Sequence, residues 1–115
     1  MTDIDEVATV MHQTLFPYDM NFYENRLLYL NDRKWYSIVY FLEPFMNMIT
    51  EPSLHEWYQY LVVKRDRISP RYEQEETPRE RKKSRMMIRR VYRAAKTNVF
   101  IMHFLDIMLL YGKSR

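Results

Sequence analysis

The chain has 115 residues, enough for one domain with a modest core, and carries a net charge of +3 with 29% charged and 47% hydrophobic residues. It holds no cysteine and a single glycine, Gly112. These counts exclude disulfides, thiol chemistry, cysteine zinc sites, and the glycine loops that cradle phosphates or shape a hydrolase nucleophile elbow.

The charge is polarised along the chain. Residues 1–63 hold nine acidic and three basic side chains, whereas residues 64–115 hold fifteen basic and six acidic ones. Two such halves are expected to meet different neighbours. Residues 1–6 are acidic, opposite to a signal or transit sequence, and the lack of cysteine fits a reducing compartment, so an intracellular location is expected.

Apolar residues at Ile4, Val7, Ala8, Met11 and Leu15 share one face and predict a helix over 3–15, ended by Pro17. Asp19 is suited to cap a second helix over 20–30, and Asn31-Asp32 is expected to break it, with Asp32 capping the next. That next helix carries Trp35, Ile38, Val39, Leu42, Phe45, Met46 and Ile49 as an apolar stripe, and Pro44 predicts a kink or break near Tyr40. Ser53 and Glu56 form an S-x-x-E box that is expected to open a helix with Leu54, Trp57, Tyr58, Leu61 and Val62 inward.

Residues 66–77 are polar and punctuated by proline, so they read as a loop. Thr77-Pro78-Arg79-Glu80 is a strong helix start: threonine at the cap, proline where no N–H is needed, glutamate closing the box. The absence of a breaker before Gly112 predicts one long helix over 78–112, basic and then apolar, packed in the same domain or projecting from it. The expected fold is therefore all-α: a small bundle of about five helices, with an aromatic-rich part over 1–65, the loop, and the long helix.

Two surfaces stand out as functional candidates. The basic run Arg81, Lys82, Lys83, Arg85, Arg89, Arg90 and Arg93 fits an acidic protein segment, the phosphates of nucleic acid or an anionic lipid surface; it also fits a solvated helix face. Of the eighteen aromatic residues, thirteen precede residue 61. The group Trp35, Tyr36, Tyr40, Phe41, Phe45, Trp57, Tyr58 and Tyr60 is too large for one face of its two helices. Most of it is expected to be core, and the remainder, from among Trp35, Tyr36, Tyr40, Phe45, Trp57 and Tyr58, to form a groove for an extended Pro-rich segment.

Residues 99–111 are apolar apart from His103 and Asp106, and must be enclosed by the chain's own helices, a partner or a second copy. The stretch is too short to span a bilayer. His103 and Asp106, three apart, are expected to form a buried structural pair, since no serine or cysteine nucleophile accompanies them. His12, His55 and His103 lack metal-ligand spacing, so neither a metal, a cofactor nor catalysis is expected. Ser69-Pro70 and Thr77-Pro78 have the form of proline-directed phosphorylation sites, with Thr77 better explained as a cap.

Read in order, Gln13-Thr14-Leu15, Pro17, Asn21-Phe22, Asn25-Arg26, Tyr29-Leu30, Asp32, Trp35 and Tyr40-Phe41-Leu42 resemble the conserved block of the Mediator subunit 31 family, and Pro52, Leu54, Tyr58 and Leu61 loosely follow its later helix. The likeness covers residues 13–62; Leu27-Leu28 stand where the family has glycine, and residues 64–115 have no counterpart. It implies a helical bundle in the nucleus that binds a Pro-rich stretch of a neighbouring coactivator subunit through an aromatic surface. The leading expectation is a non-catalytic subunit of a macromolecular assembly. The alternatives are a nucleic-acid-binding or virion protein using the basic helix, and an accessory subunit of a membrane-bound complex.

Overall fold

The computed structural model describes residues 19–67 and 76–113. The helix expected over 3–15, His12 and the Ser69-Pro70 pair lie outside those residues. The described chain is all-α: α1 Met20–Arg33, α2 Trp35–Leu42, a 3₁₀ turn at Glu43–Phe45, α3 Pro52–Arg67, α4 Pro78–Thr97 and α5 Val99–Lys113.

Asp19 caps α1 as expected, its carboxylate accepting from Phe22 N–H at 2.9 Å. The helix does not stop at Asn31-Asp32. It runs to Arg33 and breaks at Lys34, whose φ of −128° and ψ of 18° leave the helical region. Asn31 and Asp32 stay helical because their side chains are engaged elsewhere, as described below. In α2, Trp35, Ile38, Val39 and Leu42 point inward at helical spacing. Pro44 acts later than predicted: the α-helix passes Tyr40, ends at Leu42 and tightens into the 3₁₀ turn. A ring at position 44 removes the N–H that would bond Tyr40 and crowds that carbonyl, so i→i+3 bonding takes over.

The Ser53–Glu56 box does not form. Helix α3 starts two residues earlier, on Pro52, with His55 N–H donating to Glu51 carbonyl at 3.3 Å, and Ser53 Oγ has no hydrogen-bond partner among the described residues. Its other end extends to Arg67, into the stretch expected to be loop. At α4 both halves of the Thr77–Glu80 box are made, with Glu80 N–H to Thr77 Oγ1 at 3.2 Å and Thr77 N–H to Glu80 Oε1 at 3.3 Å. The pairing lowers the Glu80 carboxyl below its ordinary range, chiefly through Thr77.

The single long C-terminal helix is replaced by two. Asn98 leaves the helix at φ −136° and ψ 100°, and its Oδ1 accepts from Phe100 N–H at 3.1 Å and Ile101 N–H at 3.3 Å. It therefore ends α4 and caps α5, a competition with the backbone that asparagine is suited to win. Gly112 is not a terminator: α5 continues through it, and no glycine has positive φ.

The break lets the apolar segment fold back. Helix α5 packs on α1 and α4, burying Ile101, Met102, Leu105 and Met108. Helices α1 and α3 each pack against both α2 and α4. The shared core runs from Tyr23 and Leu27 through Ile38, Leu54, Trp57 and Leu61 to Met87 and Ile88, all at most 2% exposed. Each such aliphatic side chain is worth about 1.5–3 kcal/mol when buried.

Candidate partner-binding surface

The aromatic group divides into core and surface. Trp57 is 0% and Trp35 5% exposed, so neither belongs to an interface face. Trp57 is held by a buried polar cluster that the sequence reading missed. Its Nε1 donates to Asn31 Oδ1 at 3.1 Å, and Asn31 Nδ2 donates to Glu76 Oε1 at 2.6 Å. Lys64 donates to the Asn31 carbonyl at 2.9 Å, pairs with Glu76 at 3.4 Å and lies 4.8 Å above the Trp35 ring. Ser84 Oγ donates to Glu76 Oε2 at 2.8 Å and lies 3.2 Å from the Tyr60 hydroxyl. Burial, reinforced by the Glu76 charge, pushes the Tyr60 phenol up to about 12. The cluster ties α1, α3, α4 and the residue preceding the α4 cap together, and it explains why Asn31 does not terminate α1.

Of the rest of the group, Tyr36 and Tyr40 face outward. Tyr36 is 49% and Tyr40 75% exposed, four residues apart on α2. Glu43 keeps helical dihedrals, φ −47° and ψ −48°, so exposed Glu43 and Pro44 continue the stripe one turn beyond Tyr40. The stripe leads into an open groove of about 500 Å³ between the 3₁₀ turn and α3, lined by Glu43, Pro44, Met46, His55, Tyr58 and Gln59 among others. Tyr58 is half-buried in its wall, and His55 Nε2 is tied to the Ile49 carbonyl, which fixes the ring there. Phe45 sits behind the stripe, its ring 5.8 Å from Phe41 and 5.2 Å from Phe104, so it supports the surface from within. Tyr36 and Tyr40 are thus exposed on α2 and Tyr58 lines the groove that follows it, whereas Trp35 and Trp57 are in the core. The alternation was readable from spacing: 35, 38, 39 and 42 make the buried face of α2, and 36 and 40 fall opposite.

The basic run is not a uniform face either. Arg81 pairs with Asp32, Arg85 lies 3.7 Å and Arg89 2.9 Å from Glu24, and Arg90 lies 3.1 Å from Glu56. The acidic first half and basic second half of the chain therefore meet one another along α4. Lys83 stands 5.9 Å over the Tyr60 ring. Lys82 and Arg93 are exposed and have no carboxylate partner among the described residues.

His103 and Asp106 do not bond each other. Asp106 is buried and accepts from the Tyr23 hydroxyl at 3.0 Å, joining α5 to α1, while His103 Nδ1 has no partner. Among the described residues no group of three His, Asp or Glu is placed to hold a metal ion, and no helix is long and apolar enough to cross a membrane. Comparison with models of known families, with curated proteins and with solved structures finds no match.

Proposed function

We propose that the chain is a non-catalytic interaction subunit of a larger assembly, and that its α2 stripe and the adjoining groove receive an extended segment of a partner subunit. The observation that carries this reading is the Tyr36–Tyr40 pair, large aromatics left exposed in line with a groove walled by Pro44 and Tyr58. A groove whose mixed polar and apolar walls include a proline and a phenol suits proline-containing strands, which come pre-extended and lose little entropy on docking. Glu43 at the rim, without an ion pair among the described residues, favours a segment that also carries Lys or Arg. The resemblance of residues 13–62 to the Mediator subunit 31 family makes a nuclear transcription coactivator the assembly of choice. Pairing of Arg81, Arg85, Arg89 and Arg90 with the chain's own carboxylates weighs against α4 as a phosphate-tracking helix.

Affinity purification of the full chain with partner identification tests the proposal. The wild type is expected to recover one set of partners in fixed proportion, including coactivator subunits. The double variant Tyr36→Ala/Tyr40→Ala is expected to lose them while remaining folded. Recovery of the same set by both proteins rejects the stripe as the binding surface.

A further inference from the structure

Helix α4 carries two kinds of cation. On the flank that meets α1, Arg81 takes Asp32, and Arg85 and Arg89 share Glu24. On the flank that meets α3, Arg90 takes Glu56 and Lys83 covers Tyr60. The helical period places Arg79, Lys82, Met86 and Arg93 between these flanks, on one outward crest. No carboxylate of the described chain touches Arg79, Lys82 or Arg93, and Met86 in their midst is 48% exposed. From Lys82 to Arg93 is three turns, roughly 16 Å.

We propose that this crest docks a short, acidic, amphipathic segment of a partner protein. Asp or Glu side chains would meet Lys82 and Arg93 at its ends, and an aliphatic or aromatic side chain would cover Met86 between them. Charge complementarity carries the argument. Each flank of α4 already seats its arginines on carboxylates from a neighbouring helix, and the crest offers the same donors with that position vacant. Met86 favours a partner with an apolar side chain over the highly charged edge of a nucleic-acid backbone, and an amphipathic helix presents such a side chain flanked by acids three or four residues away. The surface is distinct from the α2 groove, since α1 and α3 pack against both α2 and α4, so the two proposals stand separately.

The test is a fluorescence-anisotropy titration of the full chain against a labelled Leu- and Glu-rich amphipathic peptide. A matched peptide with serine for leucine, oligo(dT) and phosphatidylserine vesicles serve as comparators. The leucine peptide is expected to bind saturably and more tightly than all three. The charge-reversed pair Lys82→Glu/Arg93→Glu should weaken it about tenfold or more, and Lys82→Gln/Arg93→Gln in the same direction by less. Met86→Ser should weaken the leucine peptide several-fold and leave the serine peptide unchanged. Thermal midpoints should stay put, because Lys82 and Arg93 make no ion pair among the described residues and Met86 is half exposed. Equal binding of the two peptides, tighter binding of oligo(dT) or vesicles, absence of saturable binding, or indifference to the charge changes would each overturn the proposal.

Discussion

Trp57 and Tyr58 are neighbours on α3 and serve opposite ends. Trp57 is sealed in the cluster with Asn31, Lys64, Glu76 and Ser84, where each polar group is hydrogen-bonded to another of the cluster. Tyr58 lines the groove that follows α2, and Tyr36 and Tyr40 on that helix are exposed. A buried polar cluster is costly to leave incomplete, so its residues are committed to one arrangement. The exposed stripe commits nothing to the fold, and large aromatics left in that condition are available for a partner. The two regions should therefore respond in opposite ways to substitution.

The sharpest break is expected from Trp57→Ala. It removes a fully buried indole and leaves Asn31 Oδ1 without its donor, so stability should fall by about 3–5 kcal/mol in chemical denaturation. Lys64→Met should follow at about 3 kcal/mol, because Glu76 would be left as a buried charge without its cation. Arg90→Ala, which opens the exposed pair with Glu56, should cost under about 1 kcal/mol and so measures how much burial matters. At the entrance to α4, Thr77→Ala should cost about 1 kcal/mol by removing the cap, with exchange protection lost first at the α4 N-terminus.

A further effect is a pH dependence. The Tyr60 phenol sits near 12 in the folded chain against an ordinary 10.0, so the folded state holds that proton longer. Its contribution to stability is complete below pH 10 and lost as pH rises toward 12. Tyr92, also raised by burial, adds in the same direction. Tyr60→Phe should flatten the alkaline side of the stability profile, and an unchanged profile would remove Tyr60 from the cluster's electrostatics.

Much of the helical layout follows from local chemistry. The Asp19 cap, the Thr77–Glu80 box and the inward stripe of α2 are each written in a few adjacent residues. What escaped local reading depends on contacts distant in sequence. Asn31 looks like a terminator, yet its side chain binds Trp57 and Glu76, and that engagement keeps it helical. Asn98 looks unremarkable within a strong helical run, yet turning there allows Ile101, Leu105 and Met108 to reach the core. The aromatic surplus was legible as a quantity. Its division between Trp57 inside and Tyr36 and Tyr40 outside needed the face of each helix. The arginines of α4 could be counted from the sequence, but their carboxylate partners lie on α1 and α3 and are visible only in the folded chain.

The most direct test of the central claim is a pair of measurements on Tyr36→Ala/Tyr40→Ala and Trp57→Ala. Each variant is followed by thermal unfolding and by NMR titration of the full chain with a proline- and arginine-containing peptide. For the wild type, peptide-induced shifts should cluster at Tyr36, Tyr40, His55 and Tyr58. The double tyrosine variant should unfold within about 0.5 kcal/mol of wild type and lose about 2 kcal/mol or more of binding. Trp57→Ala should do the reverse, losing stability while its folded fraction still binds. A tyrosine variant that unfolds as Trp57→Ala does, or that binds the peptide as the wild type does, would contradict the account.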